Sequence, residues 1–169
     1  KYPGVPVVAT GTLLGGPNKT IAAILAAGGE AAANEILQFL NNAILRVYST
    51  QTNSIFRPTH ILLPLTEYGL LTTFRIPNTS ETLVSYLERV LKIKIEPLLQ
   101  AATAGAGGGN RMMIYTKNAQ FAKFHLPMPY TLNTPIPSHG GLKFEAAGVV
   151  RTAGTELRVP LSHLYVDGI

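Results

Sequence analysis

The stretch RTAGTELRVPLSHLYVDGI, Arg151–Ile169, carries the reading of the fold. Leu157, Val159 and Leu161 alternate there with Glu156, Arg158 and Pro160, the period-two pattern of a strand with one apolar face. Just upstream, Leu142, Phe144 and Ala146 alternate with Lys143 and Glu145. The two arms predict a long β-hairpin over 142–169, turning at the glycine-containing segment Thr152–Thr155. Pro160 has no N–H for a ladder, so it belongs at an edge or a bulge.

Strands continue toward the N-terminus: Arg111–Thr116, a turn at Lys117–Asn118, then Phe121–Leu126. KIKIE, Lys92–Glu96, alternates strictly, which turns Ile93 and Ile95 to a core and Lys92, Lys94 and Glu96 to water. THILLP, Thr59–Pro64, is an unbroken apolar run closed by proline and suits a central strand covered on both faces. Helices separate these strands. Leu65–Phe74 is short, and Ser80–Leu91 puts Leu83, Val84, Leu87, Val90 and Leu91 on one face, with Glu81 at its positive start. Glu30 to about Tyr48 has a stripe of Ile36, Leu37, Phe39, Leu40, Ile44, Leu45 and Val47, giving a helix roughly 28 Å long. STQTNS, Ser49–Ser54, ends it, and a shorter helix over Asn18–Ala27 is broken off by Gly28 and Gly29.

Helices with two isolated strands up to about Gln100, followed by strands to the end, make an α+β pattern. Residues 1–17 are Gly- and Pro-rich and start on Lys1, as expected of a piece cut from a longer chain; 18–126 form the main α+β body. Residues 127–141, with Pro127, Pro129, Pro135 and Pro137, read as a stiff connection, and 142–169 as a C-terminal hairpin.

The composition is apolar for a free monomer. Hydrophobic residues are 46% and charged residues 14% of 169, against about 25% charged in ordinary soluble domains, and the mean hydropathy is +0.20. Part of that apolar surface is expected to meet other chains. The absence of cysteine excludes disulfides and thiolate metal sites. No apolar run reaches the length of a membrane span and no secretory segment is recognisable, so no membrane partner is expected. The net charge is +5, yet the basic residues are scattered singly with no aromatic stacking platform among them. That argues against sequence-specific nucleic-acid binding and leaves only non-specific contact with DNA.

Candidate chemistry is thin. TAGAGGGNR, Thr103–Arg111, resembles a phosphate cradle in its glycines, but no Lys-Ser/Thr pair follows and it leads into a strand rather than a helix. Gly105, Gly107, Gly108, Gly109 and Asn110 read instead as a flexible surface loop that orders in an assembly. His60, His125, His139 and His163 lack zinc-ligand spacing, and the nine acidic residues fall mostly on expected solvated faces, with no nucleophile elbow. No catalytic, cofactor or metal residue is assigned, and no cofactor is expected. Tyr68, Phe74 and Tyr86 read as core or contact aromatics.

Five segments in order are similar to the C-terminal half of the major capsid proteins of tailed phages and prophages: RPTHILLPLTEYGLL (57–71), TLVSYL (82–87), GGGNRMMIYTKN (107–118), LPMPY (126–130) and the ending (151–169). The ending is the most specific of them. The resemblance implies an encapsulin-like fold of the Hong Kong ninety-seven type, with an axial domain plus returning strands of the peripheral domain. It implies that 59–124 are mainly axial, that Glu30–Tyr48 is one of that domain's helices or an approach to it, and that 142–166 return through the sheet. The N-terminal arm, extended loop and spine helix of such proteins are not recognisable in this sequence. The function implied is that of a structural subunit of an icosahedral viral capsid, not an enzyme. It would associate with itself in pentamers and hexamers that enclose DNA, in a virion assembled in the bacterial host cytoplasm. The rival reading is a small-molecule-binding or hydrolytic α+β domain using the Gly-rich loop, which would require a convergent polar cluster.

Overall fold

The computed structural model describes every residue except Asn78. The chain forms two compact units, the first of Lys1–Lys117 and Val159–Ile169, the second of Asn118–Arg158.

In the first unit the elements run β1 (Val7–Ala9), α1 (Thr10–Leu14), α2 (Ile21–Ala26), α3 (Gly29–Leu45), β2 (His60–Leu63), α4 (Leu65–Thr73), α5 (Leu83–Leu91), β3 (Lys94–Pro97) and β4 (Arg111–Tyr115). After the second unit, β11 (Leu164–Asp167) completes it. The strands form one mixed sheet in the order β1-β11-β4-β2-β3. β1 lies parallel to β11 and β2 to β3, while β11–β4 and β4–β2 are antiparallel.

The apolar spacing explains what packs on this sheet. Ala32, Ala33, Ile36, Phe39, Leu40, Ala43 and Ile44 bury one face of α3, and Leu83, Val84 and Leu87 bury one face of α5. They share a core with Ile61, Leu63, Ile95, Met112, Ile114, Leu164 and Val166 of the strands and with Ile93 just before β3. The Thr20 hydroxyl accepts from the Ala23 N–H at 3.1 Å and starts α2. Gly28 and Gly29, at φ 67° and 70°, make the bend into α3 in a conformation that side-chain-bearing residues avoid. The long helix ends as a π-helical turn, Arg46–Gln51, where the Thr52 hydroxyl bonds the Val47 and Tyr48 carbonyls, each at 2.9 Å.

In the second unit the strands are β5 (Ala122–His125), β6 (Met128–Leu132), β7 (Ile136–Ser138), β8 (Lys143–Glu145), β9 (Gly148–Arg151) and β10 (Gly154–Leu157). They pair antiparallel as β5–β10, β6–β9 and β7–β8. The nesting makes one long interrupted hairpin with its tip at His139–Gly141, all three residues at positive φ. Tyr130 lies directly over Gly148, where an added Cβ would come within 2.3 Å of the Tyr130 hydroxyl.

Several expectations need correction. Leu142–Ala146 does not pair with Leu157–Leu161: the hairpin folds about His139–Gly141, and of the expected turn Thr152–Thr155 only Thr152 and Ala153 lie outside strands, as a break between β9 and β10. Residues 127–141 are not a bare connection but hold β6 and β7. A two-stranded ribbon gives every strand a free edge, so prolines 127, 129, 135 and 137 remove no obligatory ladder bond. Pro160 sits in a 3-10 turn, Pro160–Ser162, instead of a strand. The first seventeen residues are not irregular throughout, because they contain β1 and α1. β2 is interior to the sheet but not covered on both faces, with His60 and Leu62 half-buried.

Candidate assembly surfaces

The hairpin of the second unit has almost no core of its own. Phe121 is its one buried side chain, while Leu142 is 89% exposed, Ile136 70% and Phe144 69%. Phe124, Leu126, Tyr130, Leu132, Val149 and Val150 are exposed as well. An isolated two-stranded ribbon is marginally stable in water, and an apolar surface of this extent is unusual on a monomer. The alternation read from Leu142, Phe144 and Ala146 therefore marks a face with nothing from its own unit against it.

The glycine loop is tied at both ends. The Gly105 N–H donates to the Gly109 carbonyl at 2.8 Å, and the Gly168 N–H donates to the Asn110 carbonyl at 3.0 Å. Two acidic side chains distant in sequence hold its base. Asp167 Oδ2 accepts from the Ala106 N–H at 3.2 Å, and Glu67 Oε1 accepts from Asn110 Nδ2 at 2.5 Å. Glu67 is buried, unlike the solvated placement expected for most of the acidic residues, and also accepts from the Thr66 hydroxyl. Arg111 hydrogen bonds hold the Asp167 carboxyl below its ordinary pKa, against burial, which pushes it up. Gly107 and Gly108 have positive φ and open space around them, whereas a Cβ on Gly105 would meet the Gly109 carbonyl oxygen at 2.6 Å.

A hollow of about 180 Å³ near the loop is bordered by Leu98, Ala101, Ala104, Arg111, Met113 and Tyr165. The Arg111 guanidinium is engaged by Asp167 and stacked over the Tyr165 ring at 4.9 Å, so it is not free to receive an anion. The four histidines do not converge. His125 pairs with Glu156 at 2.7 Å, His139 sits at the hairpin tip, and His60 and His163 flank Tyr115 with ring centroids 5.4 and 6.3 Å from it. Among the described residues no three His, Cys, Asp or Glu side chains come together as a metal-holding group. No described helix is long and apolar enough to cross a membrane.

Sequence reasoning missed Arg111, Asp167 and Glu67 as the fasteners of the loop. Their partners lie 43 to 61 residues away, and no local spacing signals such a pairing.

No curated protein matches this chain. Solved structures do. The capsid of Myoviridae phage XM1 is similar at a TM-score of 0.73 and 15% identity, covering 98% of this chain and 52% of that one. A virus-like particle from Pyrococcus furiosus is similar at a TM-score of 0.64 and 14% identity, covering 98% and 57%. A phage-related protein from Bordetella bronchiseptica RB50 follows at 0.55 and 11%, covering 99% and 56%. The chain therefore spans about half the length of the solved chains it resembles. These likenesses show the fold, an α+β fold of the phage-capsid, encapsulin-like type. The family described as major capsid protein matches residues 2–169, and the chain belongs to that family.

Proposed function

We propose that this chain is shell-building material: part of a structural subunit of an icosahedral viral capsid that associates with copies of itself in pentamers and hexamers around DNA. Its place is the virion, after assembly in the bacterial host cytoplasm. The observation that carries the reading is the hairpin of the second unit, which exposes Leu132, Ile136, Leu142 and Phe144 while burying only Phe121. Fully covering one large apolar side chain is worth about 1.5–3 kcal/mol. A handful covered on a neighbouring copy is enough to hold a shell in which each contact is repeated by symmetry.

In this reading the first unit serves as the axial-type domain and the hairpin as strands of the peripheral domain. Gly105, Gly107, Gly108, Gly109 and Asn110 form a contact loop. Having few side chains, it lets backbones of neighbouring copies approach closely, and its pinned base presents it in one position. The scattered charge of +5 favours DNA as a non-specific polyanion, with no base read.

Electron microscopy of the full-length protein tests the proposal. Wild type is expected to form shells, or rings of five or six, and the double variant Leu142→Ser, Phe144→Ser to stay dispersed with unchanged circular dichroism and thermal midpoint. A wild type that remains monomeric, or a variant that assembles as wild type does, sinks it.

A further inference from the structure

The chain leaves the first unit after Lys117 and returns to it at Val159. The crossings adjoin neighbouring strands, the first just after β4 and the second leading through the Pro160–Ser162 turn into β11, which pairs with β4 in the register Ile114↔Leu164. One residue outward, Tyr115 and His163 stack at 6.3 Å with ring planes 13° apart. His163 has no exposed surface, and its Nε2 has no partner among the described residues.

The other ring nitrogen is well supplied. The Ser162 hydroxyl donates to the Val159 carbonyl at 2.8 Å, leaving its lone pairs toward the ring. Nδ1 then lies 2.9 Å from that oxygen and 3.2 Å from the Val159 carbonyl. Two acceptors at Nδ1 place the neutral ring's proton there and leave Nε2 as a bare acceptor. A second proton can go only to Nε2, where it creates a buried cation whose new N–H has no acceptor.

Among the described residues no carboxylate acts on that ring to compensate the cation. Tyr115 of β4 covers the ring, and His60 of β2 lies beyond Tyr115. From the π-helical turn, Gln51 with its amide nitrogen turned inward donates to the Leu161 and His163 carbonyls. Arg46 of the same turn lines a separate hollow with Leu13 and Asn42. Lys117 at the other root acts on His60, and Asp167 at the far end of β11 is taken by Arg111.

We propose that His163 is an acid-sensitive latch at the root of the inserted hairpin, holding the Val159–His163 turn closed while its ring is neutral and releasing it when Nε2 takes a proton. Burial holds the ring's pKa below the ordinary value, with the Val159 carbonyl opposing more weakly. The opened turn then binds the proton more readily than the closed one. Closure is fully favoured above the ordinary imidazole range, about pH 6.5, and weakens as pH falls below it.

Hydrogen exchange of the full-length protein, read on a peptide covering Val159–Leu164 and corrected for intrinsic rates, tests the latch at about pH 7.5 and about pH 5. The Ser162 and His163 amides bond the Val159 and Pro160 carbonyls, each at 3.1 Å, and report closure of the turn. Wild type is expected to lose protection there at about pH 5 by up to about thirtyfold, the limit set by the span from about pH 6.5 down to about pH 5, while His163→Gln keeps the same protection at both pH values. An unchanged wild type, or an equal loss in both proteins, overturns the proposal. If His163→Gln does not fold, the ring is titrated by NMR in the wild type: a pKa clearly below about 6.5 supports the latch, and one at or above it overturns the proposal.

Discussion

Arg111 and Asp167 stand opposite each other on β4 and β11 and are joined twice, Nε to Oδ1 at 2.6 Å and Nη2 to Oδ2 at 2.8 Å. Their side chains are 10% and 13% exposed. Because Asp167 also takes the Ala106 N–H, one carboxylate fastens two strands to each other and the glycine loop to both.

Asp167→Asn is therefore expected to destabilise the protein at neutral pH by about 2–3 kcal/mol, since it strips a largely buried guanidinium of its counter-charge. Asp167 has a folded-state pKa held below its ordinary value. Its contribution is thus complete above the ordinary carboxylate range, about pH 4, and is lost as pH falls through the lower folded value. Urea unfolding followed from neutral to strongly acid pH should show wild type and variant converging at the acid end. The exposed Arg89–Glu81 pair serves as the control, and its removal should leave the midpoint where it was.

Two glycines of one loop should respond to alanine for different reasons. Gly105 has an ordinary φ of −78°, but its Cβ would press on backbone oxygens at 2.6 and 2.9 Å. Gly107 has open space around it, at a φ of 66°. Gly105→Ala is expected to cost about 2–3 kcal/mol through displaced backbone, and Gly107→Ala about 1 kcal/mol through left-handed strain. Thermal unfolding should rank them in that order, and an equal shift would contradict the clash.

Phe39 and Phe144 separate folding from surface. Phe39 on α3 is 1% exposed in the core, and Phe39→Ala should lose about 3–5 kcal/mol. Phe144 has no comparable burial in its unit, so Phe144→Ala should leave the unfolding midpoint of the dispersed protein within error. A large loss from Phe144→Ala would mean that the side chain is packed within its own chain.

The elements legible in the sequence are those whose signal is local. The stripe from Ile36 to Ile44 located α3, and the strict alternation of Lys92–Glu96 put Ile93 and Ile95 in the core as expected. Gly28 and Gly29 marked the break before α3. Partnership was not legible. Alternation at Leu142–Ala146 announces a strand but cannot say that Ile136–Ser138 pairs with it, because any alternating segment at a compatible distance fits as well. The short β1 hides in a Gly- and Pro-rich opening, and it forms because β11 offers Val7–Ala9 a parallel edge at the far end of the chain. The same limit concealed the ion pair of Arg111 and Asp167, residues 56 apart in sequence.

The sheet order also has a mechanical meaning. The chain leaves for the hairpin after β4 and comes back to β11 through the Pro160–Ser162 turn, and these are two neighbouring interior strands flanked by β2 on one side and β1 on the other. A pull directed along those two strands acts across their ladder bonds. Such a load shears the joints to β1 and β2, and their bonds share it at once instead of parting one after another. Within the first unit, β4 and β11 are glued like a double tongue between two boards, and a pull along them does not unzip the sheet.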